Sequence, residues 1–211
     1  MRMRKKWWAI PTLVDSDRVY FWPEKFKGSF KNHFGFDKIH LDIGCGSGNF
    51  GISVAKENQD TLVVLWDRDT DVLVYTLENV LESNLDNIII IPREIDFIEN
   101  IFGKDEIDSM TIHFPNPWPK RSQHKRRLTH PVFLEIYNKL LLDGGKIDFR
   151  TDDDGLYKDT LLYLKNVDAN IIYYSDDSHP TSPISHYELR FRNLGVKIKN
   201  IIFSFNKKDG L

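Results

Sequence analysis

The chain has 211 residues, 41% of them hydrophobic and 13% aromatic, which is enough apolar material for a buried core and a size that suits one folded domain. Its formal net charge is −2, so it is not basic throughout, and any contact with a polyanion has to come from local patches. No apolar run reaches the ~18–20 residues that cross a bilayer, the basic start MRMRKKWW lacks the apolar stretch of a signal peptide, and the lone Cys45 leaves no internal disulfide and no cysteine-based zinc site; a cytoplasmic protein is expected.

Arg2–Lys6 is the first basic patch, and residues 7–36 are aromatic-rich and irregular (WW, VYFW, FKGSFKNHFGF). Residues 1–36 therefore read as an extension, basic and then aromatic-rich, in which partial disorder is expected and residues 7–36 suit a lid, a partner surface or an extra layer, and residues 37–211 read as the main domain. Ile39–Ile43 has the character of a short buried strand. It runs into Gly44-Cys45-Gly46-Ser47-Gly48, and a helix is expected over Asn49–Asn58, with Phe50, Val54 and Ala55 on one face. Strand, glycine loop and helix suit a nucleotide-like ligand, because glycine tolerates positive φ and lets backbone amides come close. The spacing here is Asp-Ile-Gly-x-Gly-x-Gly, not the dinucleotide fingerprint Gly-x-Gly-x-x-Gly, and Asp42 stands two residues before the first glycine. A pyrophosphate is repelled by an acid there. The ammonium and sulfonium of S-adenosylmethionine are attracted by one, which makes Asp42, Gly44, Gly46 and Gly48 candidate cofactor contacts.

Thr61–Trp66 is a second buried strand ending at Asp67, followed by a helix over Asp71–Ser83. Asp67 is placed to accept from both ribose hydroxyls, whereas Asp69 and Asp71 suit a helix N-terminus. Asn87–Pro92 is a third strand. Beyond it, Glu94 and Asp96 are candidates to accept from an adenine amino group.

The fourth strand, Asp108–Phe114, leads into His113–Leu128, HFPNPWPKRSQHKRRL. Pro115, Pro117 and Pro119 fix φ at alternate positions and lack an amide donor, so Phe114–Pro119 must be a stiff loop, with Asn116 and Trp118 just past a strand's carboxyl end. Lys120, Arg121, Lys125, Arg126 and Arg127 follow, with no acid between Asp108 and Glu135, and such a block suits a polyanion. A helix is expected over His130–Leu142, ended by Asp143-Gly144-Gly145, then a strand over Lys146–Arg150, a helix over Leu156–Asn166 and strands near Ile171–Tyr174 and Val196–Phe205. The whole reads as a doubly wound α/β fold, with a mostly parallel seven-stranded sheet, helices on both faces and the last strand antiparallel. Asp152-Asp153-Asp154 reads as a helix cap rather than a Mg²⁺ site. His113, His124 and His130 lack zinc-ligand spacing, and Cys45 has no evident activating partner, so no metal and no nucleophilic cysteine are expected.

Taken together, LDIGCGSG, FPNPWPK, HKRRL, FRTDDDG and SHYELRF resemble the bacterial tRNA (guanine-N7)-methyltransferases over roughly residues 38–205, a class I S-adenosylmethionine-dependent family. The resemblance implies cofactor contacts at Asp42, Asp67, Glu94 and Asn116. It implies tRNA or guanine contacts at Lys120, Asp152, Ser185, His186, Tyr187 and Glu188, and a target in the tRNA variable loop. This chain departs from the family pattern at Asn116, usually an acid, at Glu94, usually Asp or Asn, and at Ser185, usually Thr. Guanine N7 has an in-plane lone pair and no proton, so it attacks the methyl group without a general base, and catalysis reduces to positioning. On this reading Asp152 accepts from guanine N1–H and N2–H₂, with Glu188 and Asn116 as alternatives, and Trp118 is a candidate to stack on the base. Two other readings stand beside it. One is an amino-methyltransferase using Asn116-Pro117-Trp118, and the other is a tRNA-binding module without catalysis; whether the chain is a monomer or a homodimer stays open.

Overall fold

The computed structural model describes residues 5–180 and 183–207. The chain divides into two compact units, Met1–Phe102 and Gly103–Leu211. Its seven strands make a mostly parallel sheet whose last strand in sequence is antiparallel to its neighbours, as the sequence predicts. Among the described residues no helix is long and apolar enough to cross a membrane.

In the first unit, α1 (Ala9–Val14) and α2 (Phe30–Phe34) precede β1 (Lys38–Ile43). Then come α3 (Asn49–Glu57), β2 (Thr61–Asp67), α4 (Thr70–Ser83), β3 (Ile88–Pro92) and α5 (Ile98–Ile101). The strands lie in the order β3-β2-β1, all parallel, and β2 and β3 are buried almost throughout, which explains why they read as unbroken apolar runs. The aromatic N-terminal stretch is more regular than expected. Ala9 and Leu13, one helical turn apart, are buried in a cluster with Val63, Leu65, Leu73, Val74, Leu77 and Ile90. Farther on, Tyr20 N donates to Ile90 O (2.9 Å) and Ile90 N to Arg18 O (2.8 Å), so residues 18–20 run along β3. Arg2 and Arg4 of the first basic patch lie outside the described residues.

The second unit contains β4 (Ile107–His113), α6 (Pro131–Leu140), β5 (Leu141–Thr151), α7 (Asp154–Asn166), β6 (Ala169–Ser175), α8 (His186–Asn193) and β7 (Lys199–Phe205). Its strands lie in the order β4-β5-β7-β6. The helix expected to reach Leu142 stops at Leu140, because Leu141 pairs with Ile107 and opens β5. The glycine pair predicted as a helix stop therefore lies inside β5, where the β4 register shifts between Ile107 and Ser109.

Candidate active site

After β1 the chain turns through Gly44, Gly46 and Gly48 with φ of 76°, 53° and 76°. Each lies in the left-handed region that a Cβ disfavours by ~1–2 kcal/mol. Three anchors hold the turn. Gly44 N and Cys45 N both donate to Trp66 O of β2 (2.8 and 3.1 Å). Thr76 Oγ1 of α4 donates to Gly46 O (2.5 Å), and Asn79 Nδ2, one turn on, donates to Ser47 O (2.9 Å). A Cβ on Gly48 would meet Thr76 Cγ2 at 2.7 Å, whereas nothing lies within 4 Å of the Cβ positions of Gly44 and Gly46. Gly48 thus serves packing, and the other two leave open space through which a ligand can reach the backbone.

Asp42 is buried at the end of β1. Asp67 closes β2, with Oδ2 accepting from Gly46 N (3.3 Å) and Oδ1 from Asp69 N (3.0 Å). Burial pushes the Asp67 carboxyl up from its ordinary value, against the pull of those backbone amides. Asp69 caps α4 by accepting from Asp71 N, as its position predicts. Glu94 is exposed after β3 and pairs with Arg68 (3.3 Å). Burial, followed by the Asp67 and Asp42 charges, drives the Cys45 thiol well up, which keeps it neutral.

In the second unit, the loop after β4 is built against the usual backbone preferences. Phe114 and Trp118, neither a glycine, have φ of 50° and 43°. Asn116 Oδ1 accepts from Trp118 N (3.1 Å) in a local turn, and Phe114 N donates to Arg150 O of β5 (2.8 Å). Arg127 pins the loop. Its Nε donates to Pro117 O (2.8 Å), one terminal nitrogen reaches Trp118 O (3.5 Å), and the other pairs with Asp159 Oδ2 (2.5 Å). With only 3% of its side chain exposed, Arg127 departs from the expected row of phosphate-facing cations. Lys120, Arg121 and Lys125 are exposed and form no ion pair among the described residues, while the Arg126 guanidinium lies 5.2 Å from the centre of the Trp118 ring.

Asp152 follows β5, half-buried, with its backbone carbonyl held by Lys199 Nζ (2.9 Å). Asp153 caps α7, as expected, by accepting from Leu156 N (2.6 Å). Ser185 caps α8 by accepting from Glu188 N (3.1 Å). The Tyr187 ring stacks on Phe191 (4.4 Å) and leans on Phe114 (4.7 Å); burial and then the Asp152 charge push its hydroxyl pKa up. The His186 side chain lies outside the described residues. Glu188 is fully buried and paired on both oxygens, with Arg150 and Arg192. Among the described residues no group of three or more His, Cys, Asp or Glu could hold a metal ion.

A family model described as putative methyltransferase matches residues 37–201. A tRNA (guanine-N(7)-)-methyltransferase of Clostridium kluyveri is 41% identical over 96% of this chain and 98% of its own length. One of the same name from Desulfitobacterium hafniense is 40% identical over 98% and 100%. The chain belongs to the tRNA (guanine-N7)-methyltransferase family. Among solved structures, the 16S rRNA methyltransferase KamB shares the fold with this family member at a TM-score of 0.64, with 13% identity over 89% of this chain and 95% of that one. An antibiotic-related methyltransferase does so at 0.62 and 17% over 85% and 94%.

Sequence reasoning missed Thr76 and Asn79, which hold the glycine loop of this family member, and Arg150 and Arg192, which pair with Glu188. Thr76 and Asn79 were detectable in principle, since they are polar residues one turn apart on a helix that follows a glycine loop. Arg192 stands four residues after Glu188, the spacing of a helical ion pair. Arg150 gave no local signal, because its partners Asp148 and Glu188 combine a strand neighbour with a residue far along the chain.

Proposed function

We propose that this family member transfers a methyl group from S-adenosylmethionine to N7 of a guanine in the variable loop of tRNA. The observation that carries the reading is similarity of about 40% over nearly the whole chain to relatives named tRNA (guanine-N(7)-)-methyltransferase. The glycine loop supports the choice of cofactor, since Gly44 and Gly46 are open in front while carboxylates stand at the ends of β1 and β2. S-adenosylmethionine supplies an electrophilic methyl group on a sulfonium.

In this reading Asp42 faces the cofactor's ammonium, Asp67 accepts from its ribose hydroxyls and Glu94 from the adenine amino group. Asp152, whose carboxylate has no hydrogen-bonding partner among the described residues, accepts from guanine N1–H and N2–H₂ and fixes the base edge. N7 carries no proton, so no residue is asked to act as a base and the residues contribute by orienting the base and excluding water. Asn116 gives its side-chain oxygen to Trp118 N, which leaves its amide N–H₂ to donate. Lys120, Arg121 and Lys125 hold tRNA phosphates, giving affinity more than sequence choice. A cytoplasmic location belongs to the same reading.

The test is incubation with unmodified bulk tRNA and methyl-labelled S-adenosylmethionine, then digestion to nucleosides and chromatography. Label in 7-methylguanosine is expected. Label in a methylated adenosine or cytidine would replace this reading with amino-methylation, and tRNA binding without label would reduce the chain to a binding module.

A further inference from the structure

We propose that Lys199 is a positioning residue for the methyl transfer, and that its buried ammonium fixes the backbone of Asp152 so that the carboxylate meets the guanine edge already oriented. The proposal rests on the guanine methylation and on the base contact of Asp152 argued above. Lys199 opens β7 opposite Thr151, the last residue of β5. Its side chain is only 8% exposed, although an ammonium is strongly hydrated and a lysine is seldom enclosed unless it is paired. Nζ donates to Asp152 O (2.9 Å) and pairs with Asp154 Oδ1 (2.9 Å). The Lys199 hydrogen bond, and then its charge, hold the Asp154 carboxyl below its ordinary value. Asp154 is 77% exposed, so water can serve it in place of Lys199. Lys199 has no such alternative, because a buried ammonium needs acceptors around it.

The peptide that joins Asp152 to Asp153 is therefore held at both ends. Its oxygen accepts from Lys199, and its amide, Asp153 N, donates to Thr151 Oγ1 (3.1 Å). A planar peptide with both polar ends engaged cannot rotate, which fixes ψ of Asp152. Before Asp152 the chain is tied into the β5–β7 ladder at Thr151, and after it Asp153 Oδ1 accepts from Leu156 N (2.6 Å) and starts α7. The Asp152 carboxylate itself has no hydrogen-bonding partner among the described residues. The side chain assigned to the base is thus left open while the backbone on either side of it is tied, the arrangement that favours a reaction depending on placement. Thr151 and Asp153 act within the turn, whereas Lys199 reaches it from β7. Removing the ammonium leaves Asp152 O without its partner and lets the peptide turn, so the carboxylate loses its aim while the strands stay paired.

The experiment measures single-turnover methylation rates on two tRNAs, one with guanosine at the methylated position and one with inosine there, for the wild type and for Lys199→Met. Inosine keeps N7 and N1–H and lacks the 2-amino group, so it removes one of the two donors assigned to Asp152. The wild type is expected to methylate guanosine roughly 10- to 100-fold faster, the weight of a hydrogen bond to a charged acceptor. Lys199→Met keeps the length of the side chain and loses the ammonium. It is expected to slow guanosine methylation about 10-fold and to shrink the preference for guanosine several-fold, because inosine has less contact to lose. The inherent difference in N7 reactivity between the two bases is common to both enzymes and divides out, and a change in stability alone leaves the preference untouched. An unchanged preference in Lys199→Met overturns the proposal. Should that variant fail to fold, Asp154→Ala removes the outer partner of the ammonium at an exposed position, lets it swing away from Asp152 O and is expected to lower the preference in the same direction; a wild-type preference there overturns the proposal too. Equal wild-type rates on the two tRNAs take Asp152 off the base edge and overturn the proposal with that assignment. A wild type that forms no 7-methylguanosine defeats the reaction assignment instead, and does so before any variant is made.

Discussion

Gly44–Gly48 and Phe114–Pro119 both follow the carboxyl end of a buried strand, yet their backbones are held in opposite ways. The first takes positive φ only at glycines, where it costs little, and is held through its carbonyls by Thr76 and Asn79. The second takes positive φ at Phe114 and Trp118, where a Cβ makes it costly, and depends on prolines and the buried Arg127 to stay there. The permissive loop reaches its shape without strain and leaves open space at Gly44 and Gly46. A strained one must be over-determined from beneath, and its exposed side chains carry its chemistry.

The largest break in that contrast is expected from Arg127→Met, which keeps most of the stem but removes every donor to Pro117 O, Trp118 O and Asp159. Removing one partner of a buried ion pair costs ~3–5 kcal/mol. Asp159 is one-third exposed and can rehydrate, so the lower end is expected, read as a drop in urea midpoint with an unchanged slope. A loss under about 1 kcal/mol, the range of surface pairs, would mean that the proline loop holds itself.

Gly48→Ala is a smaller break on the glycine side. Its Cβ meets Thr76 Cγ2 at 2.7 Å and its φ is 76°, whereas Gly44→Ala has the same φ and empty space. Both variants should lose the ~1–2 kcal/mol backbone cost, and only Gly48→Ala should lose more. Adding Thr76→Ser, which deletes the offending methyl and keeps the hydroxyl to Gly46 O, should recover that excess and nothing else. Equal stabilities of the two alanine variants would show that packing plays no part at Gly48.

These two loops also mark how far sequence reasoning reaches. The glycine loop was legible because its φ angles, its acid and its flanking strand and helix are all encoded within a few residues. So were the caps Asp69 and Asp153, whose hydrogen bonds are local. The proline loop was legible as stiff, but its support was not. Arg127 sits among exposed cations and differs because Pro117 O, Trp118 O and, 32 residues on, Asp159 hold it. The burial and pairing of Glu188 were hidden for the same reason, since Arg150 lies 38 residues away. The end of α6 was misplaced because the glycine pair is a local stop signal, while pairing of Leu141 with Ile107 is a long-range competitor that acts first. Charge burial and strand pairing are settled by distant partners, and a local pattern does not record them.

The smallest expected effect on stability sharpens the comparison most, because it separates the cation that holds the proline loop from those that surround it. Lys120, Arg121 and Lys125 are exposed and form no ion pair among the described residues, so replacing all three with alanine should leave the urea midpoint where it was. The salt dependence of tRNA binding should change instead, its slope falling by roughly one for each phosphate no longer neutralised, at comparable cost to different tRNA sequences. Arg127→Met should show the reverse pattern at permissive temperature, with stability reduced and the slope kept. If the triple variant left the slope unchanged, those three cations would be a solvated face. If Arg127→Met flattened it, the buried guanidinium would be reaching phosphate after all, and the distinction between supporting and binding cations would fall.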